Sequence, residues 1–247
     1  MSAAPQLSPA VAAGPALEVS DLARGFGPVR ALRGVSFALE RGEALAVFGP
    51  NGAGKSTLLR LLAGLLRPER GSIRLFGHPF NRSDAAQRVR IGLISHASLL
   101  YDGLTGRENL EFTARCYRLS SPREAAQRAL ESMGLVDAAD RAAGTYSRGM
   151  TQRLAIARAL LHDPEIVLLD EPFTGLDTRA AGVLRSLLER LRADRRTLVL
   201  VTHNLEEGLE LATQVALQVS GRFVMLDRRG DDPSLWRARY AEAVAGA

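Results

Sequence analysis

The chain is poor in several residue types, and each shortage narrows what it can be. A single cysteine, Cys116, in 247 residues leaves no internal disulfide and no spacing for a thiolate metal site, which suits a reducing compartment such as the cytoplasm. No stretch approaches the ~18 uninterrupted apolar residues of a membrane span. The best candidate, residues 58–66, is short and broken by Arg60, so the chain is not expected to cross a membrane itself. Residues 1–15 are rich in Ala and Pro, lack a basic start and an apolar core of signal-peptide length, and read as a disordered tail. Lysine is scarcer still relative to its charge class: among 32 Lys plus Arg residues there is one lysine, Lys55. A GC-rich coding bias accounts for so much arginine, but the retained lysine stands where a compact, rotatable ammonium is needed and a planar guanidinium fits poorly.

What is present is ordinary for a globular protein of one large domain or two small ones: 46% hydrophobic and 24% charged residues, enough for a sizeable core. A formal charge of +5 suits an anionic neighbour such as nucleotide, membrane surface or nucleic acid. The arginines are dispersed, however, and no partner follows from charge alone.

The chain is organised around Gly49, Pro50, Asn51, Gly52, Ala53, Gly54, Lys55, Ser56 and Thr57, which fit the pattern of Gly, four residues, Gly, Lys and Ser or Thr. The apolar run Ala44–Phe48 before it predicts a buried strand, and the leucines of residues 56–65 predict a largely buried helix. Glycines at 49, 52 and 54 let the backbone turn its N–H groups inward, and the helix start adds partial positive charge at the same point. A polyphosphate can be held there largely by backbone. Lys55 reaches the β and γ phosphate oxygens, and the Ser56 hydroxyl supplies a ligand to Mg²⁺.

Upstream, residues 17–22 and 35–39 predict antiparallel strands joined through the glycine-bearing residues 24–28. Phe26 is expected on that turn, either stacked on an adenine face or folded back on the core. Downstream, residues 72–76 and 91–95 read as strands, and His96 follows the second. Thr105 with Glu108, and Ser121 with Glu124, predict capping boxes for helices near 106–118 and 122–133. Two helices in succession interrupt the α/β alternation, so a helical subdomain over about 97–150 is expected within an α/β core. Ser147 is the expected N-cap of the next helix, which buries Met150, Leu154, Ala157 and Leu161.

The run Ile166–Asp170 followed by Glu171 predicts a central strand with carboxylates at its C-terminal end, where open parallel sheets bind ligands. Asp170 then helps hold the metal, and Glu171 orients or deprotonates a water attacking the γ-phosphate. Asp177 is expected to cap a helix that turns Ala180, Leu184, Leu187 and Leu191 inward, and residues 197–202 to be a buried strand with His203 at its end. His203 either completes the core or hydrogen-bonds the γ-phosphate and senses its loss. Ser147 and Gly149 form a second anion-binding helix end, and one nucleotide reaches both only if the ends are brought together, for instance from two subunits. A hairpin turned at Gly221 and a helical tail from Pro233 complete the reading.

The loop at 49–57, Ser147-Arg148-Gly149, the strand ending in Asp170 and Glu171, Thr174-Gly175-Leu176-Asp177 and His203, in this order, resemble the nucleotide-binding domain of ABC transporters over about residues 16–227. That resemblance implies an α/β P-loop NTPase fold, with an ABC-type core sheet, an antiparallel β subdomain and an inserted helical subdomain, within a domain over 16–247. It implies an ATP hydrolase that uses Mg²⁺, with Ser56, His96 and Asp170 at the metal, Glu171 and His203 in catalysis, and Phe26, residues 49–57, Ser147, Gly149 and Asp177 holding ATP. It also implies a head-to-tail homodimer or heterodimer of ATPase chains that moves membrane-spanning permease subunits from the cytoplasmic face of the membrane, with no nucleic acid partner. Two positions depart from the family pattern: His96 replaces the usual glutamine, and Arg148-Gly149-Met150 replaces Gly-Gly-Gln. Residues 94–101 further resemble haem-exporter ATPases of cytochrome c maturation. The alternatives are a general exporter of lipid, polysaccharide or drug, a soluble ABC-type switch acting on ribosomes or nucleic acid, and a phosphate-loop kinase.

Overall fold

The computed structural model describes residues 14–230 and 233–245, apart from 96, 175 and 177. The tail expected over 1–15 lies outside them except for Gly14 and Pro15, which lead into the fully buried Ala16.

The chain opens with strands β1 (Leu17–Phe26) and β2 (Val29–Leu39). Both outrun the stretches predicted from alternation, because register shifts after Val19, Leu22 and Arg24 move their apolar residues off a strict period of two. The connection shrinks to Gly27 and Pro28, and Phe26 sits at the end of a strand, paired with Val29, and not on a turn. There follow β3 (Ala44–Phe48), α1 (Lys55–Leu62), β4 (Arg70–Leu75), β5 (His78–Pro79), α2 (Ala85–Arg88) and β6 (Ile91–Ile94). Three helices succeed them: α3 (Gly106–Cys116), α4 (Pro122–Ser132) and α5 (Arg148–Leu160). The last part runs β7 (Ile166–Asp170), α6 (Thr178–Ala193), β8 (Thr197–Val201), α7 (Leu205–Leu211), β9 (Gln214–Val219), β10 (Arg222–Arg228) and α8 (Pro233–Ala245).

Local chemistry explains most of the boundaries. Thr105 and Glu108 form the reciprocal capping box that starts α3. Ser121 does not cap α4 with its side chain; its backbone, at φ −128° and ψ 75°, turns away from that geometry, and Pro122 at the first helical position begins the helix instead. Ser147 caps α5 by accepting from the Met150 N–H at 3.4 Å, and Asn204 caps α7 by accepting from the N–H groups of Glu206 and Glu207.

Among the described residues the strands form two sheets. The first is antiparallel, in the order β2-β1-β4-β5; the second has the order β10-β9-β3-β8-β7-β6 and is parallel apart from its edge strand β10. Strands β3, β7 and β8 are apolar at nearly every position because both of their faces are covered. Leu45, Val47, Leu168, Val199 and Val201 face one core, shared with α1 and the antiparallel sheet. Val167, Leu169, Leu198 and Leu200 face the other, shared with α3, α4, α5 and α6. Leu58, Leu59, Leu61 and Leu62 are all buried, since α1 lies between the two sheets. In α6, Leu184 and Leu188 are the buried residues, Leu187 and Leu191 only partly so; Leu188 escaped the sequence reading, and the Ala180 side chain lies outside the described residues. The tail does pack as a helix, with Trp236 buried 5.1 Å from the Phe48 ring.

His162 ties the helical part to the sheet. Its ring is buried, donates from Nε2 to the Ile91 carbonyl at 3.1 Å, and stacks on Tyr117 at 3.8 Å. Burial holds its pKa below the ordinary histidine value, opposed by the bond to Ile91 and assisted by Arg158. As pH falls through about 6.5 the unfolded chain therefore takes up a proton that the folded chain refuses. The contribution of a neutral His162 is complete above that pH and is lost below it. Wild-type thermal stability is expected to fall between pH 7 and pH 5, and His162→Gln, which keeps a donor but does not titrate, to fall less steeply by up to about 1.4 kcal/mol per pH unit. Equal slopes in thermal melts of the two proteins would refute the assignment.

Candidate functional site

The parallel register decides what meets at the sheet edge. Val47 of β3 lies opposite Val201 of β8, and Val201 lies opposite Asp170 of β7. The three neighbouring strands thus end level, and Gly49, His203 and Asp170 with Glu171 emerge side by side.

The loop after β3 has the backbone its glycines permit. Gly49, Gly52 and Gly54 have φ of 147°, 81° and 101°, all in the region L residues avoid. A β-carbon on Gly49 would strike the Gln218 carbonyl, and one on Gly54 the Ala31 carbonyl. Gly54 is the N-cap of α1, whose first turn contains no acidic residue, so the helix presents unopposed N–H groups to an anion. Pro50 and Asn51 are exposed at the crest of the loop, Ala53 is buried beneath it, and Thr57 is half-buried in α1.

Lys55 is buried, and its Nζ donates to the carbonyls of Gly49 at 2.7 Å and Pro50 at 3.0 Å. Burial lowers its pKa, while Glu171 and then Asp170 pull it back up. The ammonium therefore spans its own loop and faces the two carboxylates. Ser56 Oγ donates to Asp170 Oδ1 at 3.2 Å. Two oxygens that share one octahedral Mg²⁺ stand about 3 Å apart, so this pair fits adjacent corners of that ion's shell. Among the described residues no group of three or more His, Cys, Asp and Glu gathers, and the remaining ligands would be water and phosphate oxygens.

Glu171 sits in the left-handed region at φ 50°, with its N–H bonded to the Val201 carbonyl at 2.9 Å. That backbone turn directs its Oε2 to Nδ1 of His203 at 2.8 Å, while the His203 N–H and the Thr174 hydroxyl approach the same oxygen at 3.4 and 3.5 Å. A non-glycine residue held there is the kind of local strain that collects at reactive positions.

The other predicted residues lie apart from this cluster. Ser147 and Gly149 begin α5, where the bonds of Ser147 run to Met150 and Thr151, all within the first turn. A β-carbon on Gly149 would meet nothing within 4 Å. Arg148 is exposed and, with Ser95, Tyr146, Gln152, Thr174 and Glu171, lines a cleft of about 360 Å³. Phe26 is exposed, with the Arg24 guanidinium 5.0 Å above its ring. His96 and Asp177 lie outside the described residues. One residue of the site was missed: Gln218, whose amide reaches the loop from β9 and whose sequence signal is a lone polar residue in an apolar run.

The chain is similar to known proteins over most of its length. Residues 32–174 match the family model described as ABC transporter. The "ABC transporter ATP-binding protein NatA" of Bacillus subtilis (strain 168) is 37% identical over 219 residues, which are 87% of either chain. The "Sulfate/thiosulfate import ATP-binding protein CysA" of Bordetella parapertussis is 40% identical over 237 residues, 93% of this chain and 66% of that one. Other relatives are named for drug resistance and Nod factor export. Among solved structures, an ATP-binding cassette caught as a dimer after hydrolysis, with ADP and Pi, superposes with a TM-score of 0.79 at 27% identity and covers 87% of this chain and all of its own.

Replacing Lys55 by Ala removes the cation that faces both carboxylates. Binding of ATP, read by titration with a fluorescent analogue, is expected to weaken at least about tenfold, in line with the loss of a charge-assisted bond to phosphate. Unchanged affinity would remove Lys55 from the site.

Proposed function

The chain belongs to the ABC transporter family as an ABC-type ATPase domain, and on that footing we propose that it is the ATP-binding subunit of an exporter, driving separate membrane-spanning subunits. The observation that carries the catalytic part of this reading is the meeting of Lys55, the Ser56 and Asp170 pair, and the Glu171 and His203 pair at one sheet edge.

The roles follow from the atoms. Loop N–H groups and Lys55 Nζ bind the phosphates and draw charge from the bond to be cut. Ser56 and Asp170 would hold Mg²⁺, which would neutralise phosphate charge when bound. Glu171 Oε2 accepts a proton from the attacking water, and His203, 2.8 Å away, orients that carboxylate and is assigned as the sensor of the terminal phosphate. Phe26 offers a face for adenine at the far end of the nucleotide. His96 at the metal and Asp177 at the nucleotide are carried by the family resemblance alone, whereas a helical subdomain over about 97–150 is supported by the succession of α3 and α4 with no named strand between them.

Ser147 and Gly149 are assigned to the nucleotide of a second ATPase chain in a head-to-tail dimer. In support, the space beside Gly149 is open, so a ligand from outside could approach the backbone at the start of α5. The relation to a cassette solved as a dimer points the same way. For the membrane partner, the groove of about 680 Å³ beside β6 and α3, with Leu65, Leu99, Tyr101 and Phe112 exposed on it, is a large apolar surface for a peripheral protein to leave uncovered. No described helix is long and apolar enough to cross a membrane. The assignment of the translocation path to other subunits, with this chain on the cytoplasmic face, follows from the family resemblance. The export reading draws on the relatives named for drug resistance and Nod factor export, beside others named for sulfate/thiosulfate and molybdenum import. Haem as cargo rests on the resemblance of residues 94–101 alone.

In Glu171→Gln, hydrolysis is expected to slow by about 10² to 10⁴ while ATP is still bound, and the protein to accumulate as an ATP-containing dimer in size-exclusion chromatography. Turnover near the wild-type rate would exclude Glu171 as the base, and a protein that stays monomeric with ATP bound would exclude the shared site.

A further inference from the structure

The phosphate loop is braced by the β9–β10 hairpin, and one residue of that hairpin touches both ends of the loop. Gln218 is fully buried in β9, between Leu217 and Val219 in a strand that is otherwise apolar after its first residue. Its backbone carbonyl occupies the space a β-carbon on Gly49 would need. Its side-chain Nε2 donates to the Ala53 carbonyl at 2.9 Å, and the Gly221 N–H donates to the same oxygen at 3.0 Å. Both donors to that carbonyl thus come from the hairpin.

The consequence follows from peptide geometry. In a planar trans peptide the carbonyl and the N–H point in opposite directions. Holding the Ala53 oxygen toward β9 therefore turns the Gly54 N–H the other way, into the concavity of the loop where an anion is received. The remaining amide oxygen, Gln218 Oε1, is buried without a hydrogen-bond partner. Such an acceptor is a net cost to folding, and a leucine would fill the same space without it. The amide is thus a poor choice for stability at a place where it fixes the direction of one anion-binding donor.

We propose that Gln218 is a positioning residue for the nucleotide site, pinning the Ala53 carbonyl so that the Gly54 N–H is already aimed at phosphate before the nucleotide arrives. The proposal rests on the reading of residues 49–57 as the nucleotide loop. Its test compares wild type with Gln218→Leu and Gln218→Met, both close in volume and without the donor. Three quantities are measured: the thermal midpoint without nucleotide, the Kd of a fluorescent non-hydrolysable ATP analogue with Mg²⁺, and the split of steady-state ATPase activity between KM and kcat.

In both variants the thermal midpoint is expected to equal or exceed that of wild type. Kd is expected to rise about three- to tenfold, the worth of one hydrogen bond, with most of the kinetic loss in KM. A Kd within twofold of wild type overturns the proposal, whatever the midpoint does. So does failure of both variants to fold, because it would show the amide to be a structural requirement. Failure of wild type itself to bind the analogue would instead overturn the nucleotide reading on which this one stands.

Discussion

The site depends on the parallel pairing of β3, β8 and β7 with both faces of the sheet covered. Backbone hydrogen bonds set the register, and the two apolar cores leave it no room to slip, since a shift by one residue would turn Val199 and Val201 away from one core and Leu198 and Leu200 away from the other. With the register fixed, the three strands end together. Residues separated by more than a hundred positions, such as Ser56 and Asp170, then meet at hydrogen-bond distance without any element having to bend to bring them there.

The electrostatics at that edge are a balance between burial and attraction. Lys55 loses solvation, which lowers its pKa and is offset only in part by Glu171 and Asp170, while its ammonium donates to the carbonyls of its own loop. The Glu171 and His203 pair, 2.8 Å apart, holds the carboxylate in one orientation at the same strand ends.

Much of this was legible in the order of residues. The phosphate loop combines a spacing, a required absence of side chains and a following helix, and each of these is a local property. The apolar runs of β3, β7 and β8, the capping box at Thr105 and the hairpin at Gly221 are local as well. The errors were local too, and have identifiable causes. Register shifts hid the length of β1 and β2, and Ser121 has the right type in the right place but the wrong backbone for a cap. Leu188 was passed over because α6 buries a stripe centred one residue from the one its leucine spacing first suggests.

The sequence by itself determined the chemistry available: which loop has the glycines to turn its N–H groups toward an anion, which carboxylates stand at a strand end, and which lone lysine survives in an arginine-rich chain. Tertiary structure alone decided which of these groups meet. That β8 lies between β3 and β7 places His203 against Glu171, and that β9 flanks β3 puts the Gln218 amide under the phosphate loop. The reason is physical. Backbone conformation is governed by neighbouring residues and can be read along the chain, whereas strand order is settled by which buried faces fit together, a property of the whole core that no single stretch contains.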